Sequence, residues 1–177
     1  MHNISNSVAA AAAAMQLGCS AESIKAGLEA FCGTGRRFEK KGQYNGALVV
    51  DDYAHHPTEI QATLAAAREV AGNNKIYAIF QAHTYSRALA FLDEFANALK
   101  TSDKVIVTDI FAAREKDPGT ISGLSMAQTF IDKGINAQYI SDFGKIAETI
   151  RSQVKEGDVV ITLGAGDVNK VIPEIIS

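Results

Sequence analysis

The chain has 177 residues, with 17 Lys or Arg against 20 Asp or Glu, so its formal net charge is −3 when the histidines are neutral. This balance excludes a strongly basic nucleic-acid binder. Hydrophobic residues make up 47% of the chain and charged residues 21%, which is typical of a globular protein and argues against general disorder.

Two helices are predicted first, and they form a pair that ends near Gly35. The first covers the Ala-rich segment from Ser5 to Leu17 and ends at a glycine, because alanine favours a helix and glycine favours its C-terminal cap. The second begins at Ser20, and its apolar residues recur at helical spacing.

From Arg36 onward, the pattern changes to strands that alternate with helices. Period-two alternation or short apolar runs predict strands at 38–43, 47–50, 75–80, 104–108, 137–140 and 158–163. Helical spacing predicts helices that begin at Pro57, cover 86–100, 124–133 and 142–155, and close the chain with a short last helix.

The helix predicted at 86–100 directs four apolar side chains inward: Leu89, Leu92, Phe95 and Leu99. Strands that alternate with helices pair in parallel through right-handed crossovers. The predicted fold is therefore α/β, an open and mostly parallel sheet with helices on both faces, preceded by the helical pair.

Polar clusters follow four of the predicted strands, at 51–59, 81–87, 109–116 and 164–167. The carboxyl ends of parallel strands meet at one edge of an open sheet, and ligands bind outside that edge. Three of the four histidines lie in the first two clusters. The sequence therefore predicts a ligand site at this edge.

Residues of the first cluster allow more than one interpretation. His55 and His56 with Glu59 are potential metal ligands, but neither HExxH nor its inverse is present, so capping of the following helix is favoured. Asp51 and Asp52 could form a catalytic carboxylate pair. We favour a second interpretation, in which one carboxylate caps or hydrogen-bonds locally and the other accepts a hydrogen bond from a ligand hydroxyl.

Two turns suggest contacts to anions. Gly164-Ala165-Gly166 allows close approach of a phosphate before a helix, but a tight turn explains it equally well because the third glycine of a dinucleotide fingerprint is absent. Arg36 and Arg37 are either a fork for phosphate oxygens or a solvated surface pair. There is no GxxxxGK[ST] loop, so another segment would have to cradle the phosphates of ATP.

No stretch of the sequence is long and apolar enough to span a membrane, and the N-terminus lacks the order of a secretory signal. Cys19 and Cys32 form neither a CxxC pair nor a zinc spacing. We therefore expect a cytoplasmic protein without a membrane or nucleic-acid partner.

Four motifs together resemble the Mur ligase family, specifically the C-terminal part of members that ligate L-alanine. They are His2-Asn3-Ile4-Ser5-Asn6, Gly35-Arg36-Arg37-Phe38-Glu39, Asp51-Asp52-Tyr53-Ala54-His55-His56-Pro57-Thr58-Glu59 and Gln81-Ala82-His83-Thr84-Tyr85-Ser86-Arg87. The resemblance runs from end to end of the chain, in the right order and spacing. It implies that residues 1–35 are the tail of a central ATP-binding domain and that residues 36–177 are a Rossmann-like C-terminal domain.

The reaction that the resemblance implies is ATP-dependent amide formation in peptidoglycan precursor synthesis. The lactyl carboxylate of UDP-N-acetylmuramate would become an acyl phosphate, which the amine of L-alanine attacks, with Mg2+ bridging the phosphates. The P-loop and most magnesium ligands would lie in the central and N-terminal domains, which are the implied partners of this chain. The chain alone would be inactive.

The resemblance also implies residue roles on the nucleotide side. Those facing the adenine side are His2, Asn3 and Asn6. Arg37 would meet the terminal phosphate, where an always-charged fork stabilises developing charge. Asp52 would accept a hydrogen bond from the ribose of ATP.

On the substrate side, the residues that would face the UDP-muramyl group and the amino acid are Tyr53, His55, His83 and Arg87. Arg37, His83 and Arg87 are the implied catalytic residues, and no metal ligand is implied. Family members often have Pro and Arg where this chain has Ala82 and Thr84, which leaves fewer cations for the amino-acid carboxylate.

Three alternatives remain open. A muropeptide-recycling ligase, which would add a tripeptide to UDP-N-acetylmuramate, carries a similar double-histidine motif, although Tyr53 and Glu59 favour the alanine-adding enzyme. A noncatalytic nucleotide-binding domain would explain the missing P-loop. A nicotinamide-dependent oxidoreductase is disfavoured by the incomplete glycine fingerprint.

Overall fold

The computed structural model describes residues 2–31 and 33–177, without the side chains of His2 and Asn3. The chain divides into two compact units, Met1–Thr34 and Gly35–Ser177. Within the described residues, no helix is long and apolar enough to cross a membrane.

The first unit contains two helices, α1 (His2–Gln16) and α2 (Ala21–Glu29). The hydroxyl of Ser20 caps α2 by accepting a hydrogen bond from the amide of Ser23 at 3.2 Å. None of residues 4–31 is buried within the structure. Helices of this length depend on packing for their stability, and this unit supplies little of it by itself.

The second unit is built on a six-stranded sheet. Its strands are β1 (Glu39–Tyr44), β2 (Ala47–Asp52), β3 (Ile76–Phe80), β4 (Lys104–Val107), β5 (Ala137–Tyr139) and β6 (Val159–Leu163). They lie in the order β1-β2-β6-β3-β4-β5. Only β1 is antiparallel to its neighbour, and the four other pairings are parallel. The predicted open, mostly parallel sheet is confirmed.

Helices cover both faces of this sheet. They are α3 (Pro57–Ala71), α4 (Tyr85–Ala90), α5 (Leu92–Leu99), α6 (Gly123–Asp132), α7 (Phe143–Gln153) and α8 (Val171–Ile176), with a 3-10 turn at Val168–Lys170. One buried cluster lies between the sheet and helices α3 to α6, and a second lies between the sheet and helices α7 and α8.

The central strands supply side chains to both clusters because successive residues of a strand point to opposite faces. In β3, Ile76, Ala78 and Phe80 belong to the first cluster. Tyr77 and Ile79 belong to the second. All five residues are buried, as the continuous apolar run of a doubly covered parallel strand predicts.

The helix predicted at 86–100 is two helices, α4 and α5, which meet at Phe91. Phe91 leaves the helical region, with φ −122° and ψ 24°. Its ring centroid lies 4.9 Å from that of His56 at the start of α3 and 6.5 Å from that of Phe95. These tertiary contacts accompany the break, and the prediction of an inward Leu89 is wrong because that residue is 47% exposed.

Gly123 allows the first turn of α6 to approach the end of β4. A Cβ atom there would contact the carbonyl oxygen of Thr108 and would lie only 2.9 Å from its carbonyl carbon. We expect Gly123→Ala to lower the free energy of unfolding by about 1–3 kcal/mol through overpacking. Urea denaturation measures this, with Gly35→Ala as the control, where the nearest atom lies 3.8 Å from the added carbon. Equal unfolding free energies for the two variants would contradict the packing argument.

Candidate functional site

The candidate site lies at the edge of the sheet where β2, β3, β4 and β6 end. The segments that follow these strands, 53–56, 81–84, 108–122 and 164–167, meet there. The order of the strands brings them together, as the sequence pattern predicted. Asp51 and Asp52 lie at the end of β2 itself and not in the loop after it.

Arg36 connects the end of β2 to the loop after β6. Its Nε donates to Asp51 at 2.9 Å, and its two terminal nitrogens donate to the carbonyl oxygens of Gly164 and Gly166 at 2.7 and 3.1 Å. Asp51 is buried and also accepts from the hydroxyl of Thr162 at 2.7 Å. Arg36 therefore forms a structural ion pair with Asp51. This corrects both earlier interpretations of Arg36, as a fork for phosphate oxygens and as a solvated surface residue.

Gln81 holds the same β6 loop from the other side. Its side-chain oxygen accepts from the amides of Asp167 and Val168 at 2.9 and 3.0 Å, and its nitrogen donates to the Asp167 carboxylate at 3.0 Å. A Cβ atom on Gly166 would lie 2.6 Å from the ring of Phe111. The glycines of this turn thus allow close packing within the protein, which favours the tight-turn interpretation.

Asp52 is 5% exposed, and its two oxygens accept from the amides of Phe38 and Ala54 at 2.7 and 2.8 Å. Burial raises its pKa, while these two amides, a hydrogen bond from the Thr63 side chain and the charge of Arg37 act in the opposite direction. Both oxygens of the Asp51 carboxylate are engaged, by Arg36 and by Thr162, so the structure disfavours a catalytic carboxylate pair. The assignment of Asp52 to the ribose of ATP stays a prediction.

Four rings form a continuous row across the site: Tyr53, His55, His83 and Phe111. The centroids of Tyr53 and His55 lie 5.3 Å apart, and those of His55 and His83 lie 5.8 Å apart. Phe111 stacks on His83 at 5.7 Å and 16°. The structure thereby brings together three of the four predicted substrate-side residues and adds Phe111, which the sequence analysis did not single out.

The hydrogen bonds of the two histidines indicate which ring nitrogens carry protons. Nδ1 of His55 lies 3.0 Å from the carbonyl oxygen of Tyr53, which can only accept, so this nitrogen is the donor. Nδ1 of His83 lies 3.5 Å from a guanidinium nitrogen of Arg87, which can only donate. A neutral His55 therefore leaves Nε2 as an acceptor, whereas a neutral His83 carries its proton on Nε2.

The environment of His83 favours the neutral ring. Burial lowers its pKa most, and the charges of Arg87 and His55 lower it further, while the charge of Glu115 opposes them. Arg87 is half-buried beside His83, which places the fourth substrate-side residue at the same edge.

Glu59 and His56 serve the start of α3. The Glu59 carboxylate accepts from the amides of His55 and His56 at 3.0 and 3.2 Å, and Nδ1 of His56 lies 3.0 Å from the Thr58 hydroxyl. These contacts are helix capping, which is the interpretation favoured by the sequence. Among the residues that the structure describes, no group of three side chains could hold a metal ion.

The remaining predicted site residues are those expected to contact the nucleotide. Arg37 is exposed, and its guanidinium carbon lies 5.8 Å from the centroid of the Tyr53 ring. Asn6 is exposed on α1, in the first unit. The side chains of His2 and Asn3 lie outside the described residues, so their roles stay predictions.

The model of a family described as "Mur ligase, glutamate ligase domain" matches residues 36–166 of the chain. A UDP-N-acetylmuramate–L-alanine ligase of Acetivibrio thermocellus is 53% identical over 172 residues, which cover 97% of this chain and 36% of the relative. The chain thus spans little more than a third of the length of this curated relative.

Solved structures give the same similarity. The UDP-N-acetylmuramate–alanine ligase of Thermotoga maritima matches with a TM-score of 0.78 and 30% identity, over 99% of this chain and 37% of that one. A murein peptide ligase of Psychrobacter arcticus matches with a TM-score of 0.73 and 26% identity, over 99% of this chain and 36% of that one.

Removal of the Arg36 side chain should destabilise the second unit, because it leaves the buried Asp51 carboxylate without its ion-pair partner. We expect Arg36→Ala to lower the free energy of unfolding by about 2–4 kcal/mol. The neighbouring exposed arginine provides a matched control, and Arg37→Ala should change this free energy by less than about 0.5 kcal/mol. Equal effects in chemical denaturation would show that the Arg36 fork is not required for stability.

Asp52→Asn tests whether the carboxylate orders the backbone around it. One of the two backbone amides would then face an NH2 group instead of an acceptor, so we expect a loss of about 1–3 kcal/mol in the free energy of unfolding. Asp93→Asn, at an exposed ion pair with Lys133, should cost less than about 1 kcal/mol. An Asp52 variant as stable as the Asp93 variant would refute the structural role.

Proposed function

The chain belongs to the Mur ligase family, and from this membership we propose that it is the C-terminal part of a longer ATP-dependent ligase. The proposed reaction joins L-alanine to the lactyl carboxylate of UDP-N-acetylmuramate in peptidoglycan precursor synthesis. The observation that carries the proposal is 53% identity to an L-alanine ligase across 97% of this chain. The rest of that ligase would supply the P-loop, the UDP-sugar domain and most of the ligands for Mg2+.

Helices α1 and α2 are, in this proposal, the tail of the central ATP-binding domain. The described side chains of residues 4–31 are not buried within the chain, and large apolar ones such as Met15 and Leu17 are 67% and 84% exposed. An apolar surface of this kind is typical of a segment that packs against a partner. The central domain is the proposed partner, and Asn6 would face the adenine together with His2 and Asn3.

Arg37 fits a role at the terminal phosphate of ATP. It is exposed, and no hydrogen bond or ion pair engages its side chain within residues 33–177, so its guanidinium group is available to an anion. ATP supplies the phosphoryl group that activates the carboxylate. Arg37 would stabilise the negative charge that develops during this transfer.

Asp52 keeps part of its acceptor capacity for a ribose hydroxyl. A carboxylate offers about four lone-pair sites; backbone amides occupy two of them, and the side chain of Thr63 also hydrogen-bonds to this group. Asp52 would also act on the site indirectly, because it accepts hydrogen bonds from the backbone amides of Phe38 and Ala54. These residues directly follow Arg37 and Tyr53, so Asp52 holds the backbone beside both groups.

The histidines suit the amino-acid half of the reaction. The amine of L-alanine attacks only when it is deprotonated, and Nε2 of a neutral His55 is an acceptor that can take up this proton. His83 would offer the proton on its Nε2 to the carboxylate of the amino acid, and Arg87 would supply the positive charge. Tyr53 and Phe111 stand at the two ends of this row of rings, and there they would limit access of water to a reactive acyl phosphate.

A murein peptide ligase is the second candidate, because such an enzyme has a similar structure with a TM-score of 0.73. It would use the same ATP chemistry with a peptide in place of L-alanine. The lower identity of 26% makes it the weaker candidate.

Phosphate release from ATP by the full-length polypeptide tests the proposed function. UDP-N-acetylmuramate is supplied with L-alanine, glycine, L-serine or a tripeptide in turn, and the 177-residue chain serves as the control. Release that depends on L-alanine, with the shorter chain inert, is the expected outcome. Dependence on the tripeptide would select the second candidate, and release by the shorter chain alone would refute the proposal.

Arg87→Gln should weaken the binding of L-alanine in the full-length polypeptide. Loss of one charged contact predicts a rise of about tenfold or more in the KM for L-alanine, with the KM for ATP nearly unchanged. Lys100→Gln removes the same charge from the opposite edge of the sheet, before β4, and should leave both constants unchanged. A rise in both KM values for Arg87→Gln would contradict the role assigned to Arg87.

A further inference from the structure

The loop after β4, residues 108–122, is bound at Phe111 to the loop after β3. The amide of Phe111 donates to the carbonyl oxygen of Ala82, and the amide of Thr84 donates to the carbonyl oxygen of Phe111, both at 2.9 Å. His83 lies between these two bonds and pairs with Phe111 as an isolated β-bridge. The stacking of Phe111 on the His83 ring therefore depends on the position of this loop.

Glu115 fastens the same loop to the start of α4. Its carboxylate accepts from the amide of Ser86 at 2.9 Å and from the hydroxyl of Ser86 at 2.5 Å. The Ser86 hydroxyl also lies 3.2 Å from that of Thr84. The amide of Glu115 donates to the carbonyl oxygen of Ala112 at 2.9 Å, so a tight turn connects this anchor to the segment that carries Phe111.

The anchor lies beside a strained piece of backbone. Thr84 has a φ of +70°, a conformation that residues with a Cβ rarely adopt. Hydrogen bonds to the loop after β4 hold it on both sides, from its own amide to Phe111 and from Ser86 to Glu115. Strained residues persist when their surroundings over-determine them, and here those surroundings position His83 and Arg87.

We propose that Glu115 is a positioning residue, which holds Phe111 against His83 and fixes the placement of His83 and Arg87 toward the incoming amino acid. The fastening of the loop follows from the contacts of this chain alone. Its consequence for the amino acid rests on the proposed function.

Glu115 also acts on His83 through its charge. The groups that face His83 are Arg87 on α4, His55 after β2 and Glu115 after β4. Burial and the first two groups lower the pKa of His83, whereas Glu115 raises it. Removal of the negative charge should therefore lower the pKa of His83 further.

Glu115→Gln in the 177-residue chain tests the fastening without any substrate. Proton NMR titration of the imidazole should show a lower pKa for His83, and the Ser86 amide should exchange with solvent about tenfold faster. Glu69→Gln is the matched control, because Glu69 is exposed on α3 and loses the same charge. If Glu115→Gln matches the control in both measurements, the proposal is overturned.

Kinetics of the full-length polypeptide test the consequence for the reaction. Glu115→Gln should raise the KM for L-alanine about tenfold and leave the KM for UDP-N-acetylmuramate within about twofold. Glu115→Asp, which keeps the charge, should recover part of the loss. If the wild-type enzyme ligates L-alanine and the variant keeps its KM, the positioning role is wrong and the proposed function stands. If the wild-type enzyme does not ligate L-alanine, the proposed function fails, and the NMR titration still decides whether Glu115 fastens the loop.

Discussion

The Arg36 guanidinium group is the contact on which the architecture of the site depends. A buried Asp51 carboxylate needs a positive partner, and the carbonyl oxygens of Gly164 and Gly166 need donors where β6 has ended. One side chain satisfies all three groups. The end of β2 and the loop after β6 are therefore held in one arrangement, and the buried charge has its partner.

The other loops are held around this contact by side-chain oxygens that accept hydrogen bonds from backbone amides, as carbonyl oxygens do between strands. The side chain of Gln81, directly after β3, accepts a hydrogen bond from the backbone of the loop after β6. The Asp52 carboxylate accepts from the backbone amides next to Arg37 and Tyr53. Glu115 does the same between the loop after β4 and α4. Loops carry their polar backbone groups out of the sheet, so each needs such acceptors or donors to become rigid. The proposed reaction would have to align a phosphate, a carboxylate and an amine, and it would therefore require such a rigid edge.

The chemistry of this edge follows from the environments of its two histidines. Each has one ring nitrogen engaged by a group of fixed polarity, a carbonyl oxygen for His55 and a guanidinium group for His83. Their remaining nitrogens consequently differ in a neutral pair, one being an acceptor and the other a donor. In the proposed reaction the amino acid would bring an ammonium group and a carboxylate, and this pair of opposite polarity would match both of its ends.

The sequence alone determined the order of strands and helices, the mostly parallel sheet and the edge at which the polar clusters meet. These follow from local periodicity and from the handedness of crossovers, which act over short distances along the chain. The sequence motifs also indicated the family. Only the tertiary structure decided that Arg36 and Asp51 form an internal ion pair, that Asp52 accepts from the backbone, that Phe91 divides a helix and that Glu115 reaches Ser86. The sequence around a polar residue does not distinguish contact with a ligand from contact with another loop, because the partner is brought close only by folding. The two carbonyl groups that Arg36 binds are 128 and 130 residues away along the chain.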